Sequence, residues 1–303
     1  MKRILITGVN GFVGPHLVSE LKKNDYYIIG VGGKLGSEFP VEEIDEYFVL
    51  DLMKKNILKN IDLSKLDGII HLAGLAAVGP SFVDPMKYIN TNIGLEVNIF
   101  EACIKQKVRP KIVIVSSGSI YSSKNKMPIN ENSHISPTSP YAVSKTAQEI
   151  MASYYENLGF DVVIARPFNH IGPGQGLGFI VPDLAKQIID FSNGNVDKVI
   201  VGNLDSQRDY TDVRDISKAY RLLYEKGKSG EVYNICSGSA ISGNKILNDL
   251  MKIKGIRAEV KLDESKLRPS DNPIIVGDYS KIMKDTGWQP EISIEQTLKD
   301  ILS

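Results

Sequence analysis

Residues 3–14 read Arg3-Ile4-Leu5-Ile6-Thr7-Gly8-Val9-Asn10-Gly11-Phe12-Val13-Gly14. A short apolar run leads into three glycines spaced by three, and the helical spacing of Pro15 to Lys23 follows. Glycine has a mechanical use at each place: a tight turn, close backbone approach to a pyrophosphate, and close helix packing. The helix N-terminus then faces the anion. The stretch therefore predicts a strand, a dinucleotide-binding turn and a helix, with Gly8, Asn10, Gly11, Phe12, Val13 and Gly14 against the cofactor.

Further short runs bounded by turns suggest strands at Arg3 to Thr7, Tyr27 to Gly32, Glu46 to Leu50, Gly68 to Ala73, Lys111 to Ser116 and Asp161 to Arg166. They are almost uniformly apolar rather than alternating, as expected of a parallel sheet covered on both faces. Asn90 to Lys107 and Pro140 to Leu158 carry helical spacing between them. The second has Ser139 as its N-cap, Pro140 in its first turn and Gly159 just past its end. The fold class is α/β: a doubly wound parallel (Rossmann) sheet with a smaller, interleaved C-terminal α/β substrate lobe. Asp215 to Tyr224 and Glu231 to Cys236 return one helix and strand to the main sheet. The expected division is residues 1–168 with about 210–236 for the dinucleotide, and 169–209 with 237–303 for the substrate.

Composition narrows the class. The chain has 303 residues, with 36 Lys and Arg balancing 36 Asp and Glu, so nucleic acid is not an expected partner. Hydrophobic residues make up 42%, an ordinary globular share. The run after Met1-Lys2-Arg3 is too short for a signal sequence, and no stretch reaches the ~18 apolar residues of a membrane helix. A cytoplasmic protein without membrane association is the expectation. Cys103 and Cys236 stand far apart with no second ligand near, and read as reduced core thiols.

The acidic residue that usually meets the adenosine ribose about 20 residues beyond the glycines is missing: strand two ends Val31-Gly32-Gly33-Lys34. Lys34 instead suits a 2′-phosphate, favouring NADPH with NADH as the second choice. Asp51 and Leu52 follow strand three where an adenine contact is expected, and Leu72 and Ala73 end strand four.

Tyr141 and Lys145 are one helical turn apart. The apolar stripe Val143, Ala147, Ile150 and Tyr154 is read as the buried face, leaving the tyrosine and lysine toward something else. A neighbouring ammonium lowers a phenol pKa and makes it a useful general acid. Ser117 closes strand five, Val113-Ile114-Val115-Ser116-Ser117, on the edge where open α/β sheets bind ligands. Catalytic roles are expected for Ser117, Tyr141 and Lys145.

Together, Thr7 to Gly14, His71-Leu72-Ala73-Gly74, Asn92-Ile93-Gly94, Ser116 to Tyr121, Tyr141 to Lys145 and Arg166-Pro167-Phe168-Asn169 resemble the extended short-chain dehydrogenase/reductases that act on nucleotide sugars. The resemblance runs essentially the whole length. It implies that Tyr141 donates a proton, Lys145 also holds the nicotinamide ribose, Ser117 polarises the substrate oxygen and Asn169 contacts the sugar diphosphate. Phe168 to Gln175, Arg208 to Asp215 and Leu267 to Asp271 are similar to GDP-4-keto-6-deoxy-mannose reductases, which form GDP-D-rhamnose. That likeness implies that Arg208 and Arg268 clamp the diphosphate, as planar bidentate donors do well. The loop around Asn203 is expected to face the base. A homodimer through the helices at Asn90 to Lys107 and Pro140 to Leu158 is implied as well.

The departures matter too. Similar 4,6-dehydratases carry an acidic pair after the catalytic hydroxyl residue, whereas Gly118-Ser119 follow Ser117 here, so water elimination lacks its acid and base. A 4-epimerase with tightly held NAD uses the same three residues and stays as the alternative, with a non-catalytic sensor module behind it. The favoured partner is a GDP-linked 4-keto-6-deoxy sugar.

Overall fold

The computed structural model describes residues 1–33, 43–54, 57–264 and 274–303. Its large sheet contains β1 (Arg3–Thr7), β2 (Tyr27–Gly32), β3 (Glu46–Val49), β4 (Gly68–His71), β5 (Lys111–Val115), β6 (Val162–Pro167) and β10 (Val232–Ile235). The strand order is β10-β6-β5-β4-β1-β2-β3, and every pairing is parallel. Connections run one way from β1 to β3 and the other way from β4 onward, so the carboxyl ends of β1 and β4 flank the crevice of a doubly wound sheet. The six expected strands and the returning β10 all form: β1 and β2 span their expected runs, β3 and β5 end one residue early and β4 two early, β6 lies one residue later, and β10 is trimmed by one residue at each end.

The helices are α1 (Val13–Lys22), α2 (Val78–Ser81), α3 (Pro85–Lys105), α4 (Pro140–Asn157), α5 (Ile180–Ser192), α6 (Val213–Lys226), α7 (Gly243–Lys254), α8 (Ser280–Thr286) and α9 (Ile294–Leu302). Alternate strand residues feed opposite cores, which explains the unbroken apolar runs. Ile4, Ile6, Ile28, Ile70 and Val113 pack with Leu17 and Tyr220 on one face. Leu5, Ile29, Ile69, Ile112 and Ile114 pack with Phe100 and Tyr155 on the other. Cys103 and Cys236 are buried free thiols.

The second half is built around β7 (Asn169–Ile171), β9 (Gln207–Asp212), β11 (Ala240–Ser242) and β13 (Ile274–Ile275), with β8 (Lys198–Val201) and β12 (Glu259–Leu262) as a separate parallel pair. Parallel pairing of Asn169 with Tyr210 joins β7 to β9. A further core of Val181, Leu184, Ile246, Leu250 and Leu298 unites α5, α7 and α9. The tail also reaches back to the large sheet. Ile282 and Trp288 sit in the α1-side core, and the Trp288 indole donates to Asp215 O at 2.9 Å.

One reading of α4 is corrected. Val143, Ile150 and Tyr154 are 42%, 66% and 54% exposed, so the apolar stripe faces outward rather than into the core. The buried face is instead Tyr141, Ala142, Ser144, Lys145, Gln148, Glu149, Ala152 and Tyr155. A polar face can be buried because its groups find partners. Arg166 makes a two-pronged bond to Glu149, at 2.8 and 2.7 Å, and Ser116 also donates to Glu149. Arg166 continues to the Tyr121 hydroxyl at 2.6 Å, and Tyr121 to Asn234 at 2.7 Å.

Candidate active site

The glycine turn is held at both ends. Gly8 adopts φ +69° and donates to Val31 O at 2.7 Å, and Gly11 donates to Gly8 O at 2.9 Å. A Cβ on Gly8 would stand 2.6 Å from the Ala73 Cα, and one on Gly14 only 1.6 Å from the Val9 carbonyl oxygen. Gly8 therefore seats the turn on the end of β4 at Leu72 and Ala73, and Gly14 lets α1 start directly against it. The α1 N-terminus has Phe12 as its cap residue with no side-chain hydrogen bond; Gly14 N donates to Gly11 O at 3.1 Å, and no side chain competes with an anion for the other first-turn amides.

Asn10 reaches to the end of β2, where a Cβ on Gly32 would lie 2.3 Å from the Asn10 Oδ1 and 2.8 Å from the Tyr47 hydroxyl. A ribose-binding carboxylate at Gly32 would have to displace the Asn10 and Tyr47 side-chain ends. Lys34 lies outside the described residues. Asp51 is exposed and accepts from Met53 N at 3.0 Å, whereas Leu52 is buried and its carbonyl accepts from Asn98. These features fit a dinucleotide: a close-approach turn, an uncapped helix end and a clear strand edge.

Ser117, Tyr141 and Lys145 come together beyond the ends of β5 and β4. Ser139 caps α4 by accepting from Ala142 N at 3.1 Å, which fixes the first helical turn carrying Tyr141. The Ser117 hydroxyl shares a hydrogen bond with the Tyr141 phenol. Ser117 Oγ also accepts from Ser119 N at 3.1 Å. The Lys145 Nζ donates to Val115 O at 2.9 Å, beside Gly74 and the Asn92 amide. Burial brings Lys145 down to about 8, with Glu96 and Glu149 opposing that fall.

Tyr141 departs from the expected acidic phenol. It is 8% exposed, and burial raises it, with only the Ser117 hydrogen bond acting the other way. In the free protein the Lys145 ammonium is hydrogen-bonded to Val115 O, and desolvation is the largest influence on the phenol.

Asn169 is exposed at the start of β7. It follows Phe168, whose ring packs against Gly118. Arg208 lies on β9 two residues before Tyr210, the pairing partner of Asn169, and its NH1 donates to Gln207 O. Asn203 is exposed in the turn after β8, its Oδ1 accepting from Asp205 N at 2.9 Å. Arg268 lies outside the described residues.

Asn92, His16 and His170, beyond the expected set, support the site together with the expected Phe12. Asn92 donates to Ser144 at 2.8 Å and accepts from Leu75 N at 2.8 Å, tying α3 to α4 and to the strand-four loop. Phe12 stacks flat on His170 at 6.0 Å, and His16 Nε2 bonds Pro173 O at 3.0 Å, so the glycine turn is joined to the 169–178 loop. Burial lowers His170 below the usual imidazole value. Asn92 and His170 lay within stretches singled out in the sequence, Asn92-Ile93-Gly94 and Phe168 to Gln175, and Phe12 within the glycine turn, whereas His16 had no such signal. The histidine contacts span about 150 residues of chain and leave no local pattern.

Comparison with known proteins places this geometry. A GDP-6-deoxy-D-mannose reductase of Pseudomonas aeruginosa is 32% identical, over 100% of this chain and 96% of its own length. The structure of RMD from Pseudomonas aeruginosa complexed with NADPH superposes with a TM-score of 0.87 at 31% identity, covering 100% of this chain and 98% of that one. A UDP-glucose 4-epimerase of Thermotoga maritima, solved with UDP-glucose, gives a TM-score of 0.87 at 28% identity, over 99% and 97%. The family model described as GDP-mannose 4,6 dehydratase matches residues 5–301. With that match spanning nearly the whole chain, and with the glycine turn and the serine, tyrosine and lysine set on one sheet edge, the chain belongs to the GDP-mannose 4,6-dehydratase family.

Proposed function

We propose that this protein uses NADPH, or NADH less well, to reduce the C4 ketone of GDP-4-keto-6-deoxy-D-mannose, forming GDP-D-rhamnose. The observation that carries this reading is the full-length likeness to a GDP-6-deoxy-D-mannose reductase. It is joined by a site that keeps Ser117, Tyr141 and Lys145 but has Gly118 and Ser119 where a dehydratase needs carboxylates. The same three residues serve a 4-epimerase, and the epimerase relatives keep that as the second reading.

The lobe formed by residues 1–168 and about 210–236 would hold the cofactor, with its diphosphate over Gly8, Gly11 and Gly14 and the α1 amides. When bound, the reduced nicotinamide supplies the hydride. Tyr141 then donates its proton to the oxygen at sugar C4, while Ser117 holds that oxygen by a hydrogen bond. Loss of the proton leaves a phenolate in a buried site, which a nearby positive charge favours. Lys145 supplies that charge from one turn along α4. Residues 169–209 and 237–303 would bind the nucleotide sugar, with Asn169, Arg208 and Arg268 on the diphosphate and Asn203 near the base.

The reading is tested by mixing the protein with NADPH and GDP-4-keto-6-deoxy-mannose, with UDP- and dTDP-linked ketosugars as controls. Loss of reduced-cofactor absorbance with the GDP sugar is the expected result. No loss with any of the three, using either NADPH or NADH, would remove the reductase reading.

A homodimer is part of the proposal. Val143, Ile150 and Tyr154 project from one side of α4, and such an exposed apolar stripe is suited to a second copy of the chain. Ile150→Glu should shift the protein from dimer to monomer in sedimentation velocity, and a parent protein already monomeric at micromolar concentration would contradict this. No helix among the described residues is long and apolar enough to cross a membrane.

A further inference from the structure

Strand β9 changes partners at Asp209. Its residues 207–209 lie against β11 and 207–208 against β13, whereas 210–212 lie against β7. Asp209 is 1% exposed, and its carboxylate accepts four hydrogen bonds. Ser237 N and Ser237 Oγ donate to Oδ1, both at 2.6 Å, and Gly238 N and Gly277 N donate to Oδ2 at 2.9 and 3.1 Å.

Three of these donors are backbone amides, which can donate but not accept. A carboxylate satisfies both sides of the site. A side-chain amide in the same place would turn its NH2 against at least one backbone N–H, whichever way it were rotated. Burial raises the Asp209 carboxyl above the ordinary aspartate value, and the same four hydrogen bonds act to lower it.

The donors come from segments that also border the catalytic edge. Ser237 and Gly238 follow β10, the strand that extends the large sheet beyond β6. Gly277 follows β13, and a Cβ there would stand 2.6 Å from the Cys236 sulfur and 2.8 Å from the Phe168 Cζ. The same ring packs against Gly118, where a Cβ would lie 2.9 Å from the Phe168 Cδ2. A short packed path therefore joins Ser117 to Arg208: Gly118, the Phe168 ring, Gly277 and the Asp209 carboxylate. A hexose carries its anomeric diphosphate and its C4 oxygen on opposite sides of one ring. A protein that grips the first must hold a fixed distance to the groups that meet the second.

We propose that Asp209 is a positioning residue: by fastening β9 to the chain beyond β10 and β13, it sets where Arg208 stands relative to Ser117 and so brings the C4 oxygen of a bound nucleotide sugar to Ser117 and Tyr141. The proposal rests on the reading of Arg208 as a diphosphate ligand. The fastening itself stands on the four hydrogen bonds.

Asp209→Asn keeps the size of the side chain and breaks at least one of those bonds. Ser237→Ala is the milder change, since it removes the hydroxyl and keeps the backbone amide. Calorimetry measures the binding of NADPH and of GDP, UDP and dTDP to the parent and each variant, and kcat is followed with NADPH and the GDP ketosugar. Asp209→Asn should weaken the preferred nucleoside diphosphate about tenfold and lower kcat by about 10²-fold, the cost of a misplacement of about 1 Å, with NADPH affinity within about twofold of the parent. Ser237→Ala should weaken the same diphosphate about threefold. In an Arg208→Ala background, adding Asp209→Asn should weaken the diphosphate little further, because both changes remove one grip. A purely structural role would lower the melting temperature and leave the diphosphate affinity of the folded protein in place, and that result would overturn the proposal. Losses that add in full in the double variant would overturn it as well. A parent that binds a diphosphate but turns over no ketosugar removes the reductase reading alone, and the diphosphate affinities then still decide the role of Asp209. A parent that binds none of the three would overturn both.

Discussion

Replacing Tyr141 by Phe should lower kcat by about 10³-fold or more while leaving NADPH affinity within a few-fold of the parent. The substitution removes one oxygen from a ring that is otherwise packed, lying edge-on to Tyr88 at 6.5 Å. The fold and the glycine turn are untouched, so the loss falls on proton donation to the C4 oxygen. Burial raises the phenol, which makes it a proton holder until an alkoxide forms beside it. Single-turnover absorbance of the reduced cofactor separates chemistry from binding. Turnover close to the parent rate would remove Tyr141 as the donor.

The second large effect is structural. Gly14→Ala places a Cβ 1.6 Å from the Val9 carbonyl oxygen and 2.4 Å from its carbon, so α1 must move away from the turn. Overpacking of this kind costs about 3 kcal/mol or more, because two backbone segments rather than a flexible side chain collide. In a chain of this size that corresponds to a fall in melting temperature of about 5 °C. The uncapped α1 amides would be displaced too, and cofactor affinity should fall with stability. Gly11→Ala provides the contrast, since its Cβ would meet nothing nearer than the Gly8 oxygen at 3.2 Å. It should melt close to the parent and lose affinity for the cofactor diphosphate. Equal stability of Gly14→Ala and the parent would show that the turn is not packed as described.

What the sequence disclosed follows from locality. The glycine turn, the apolar strands, and the Ser139 cap with Gly159 at φ +85° beyond the helix end are short-range signals, and each formed as read. The orientation of α4 was illegible for a physical reason. Helical periodicity reports two unlike faces, and burial is normally assigned to the apolar one. Here the polar face is covered because Arg166, Ser116 and Asn92 reach it from β6, the β5 edge and α3. Those partners lie 17 to 52 residues away along the chain. In the second half, the pairing of β7 with β9 unites segments about 40 residues apart, and only the folded chain sets Asn169 and Tyr210 side by side.

The central claim is net transfer of hydride to C4 of a GDP-linked sugar, and it is tested most directly by isotope. The protein would be incubated with GDP-4-keto-6-deoxy-D-mannose and NADPH carrying deuterium at nicotinamide C4, using each stereospecifically labelled form in turn. The sugar would then be analysed by NMR. One of the two labelled forms should give GDP-D-rhamnose with deuterium at C4 in stoichiometric yield, together with an equal amount of NADP. A protein that instead interconverts the C4 epimers of a nucleotide hexose without added reductant, leaving the labelled cofactor unconsumed, would contradict the account and establish the epimerase reading.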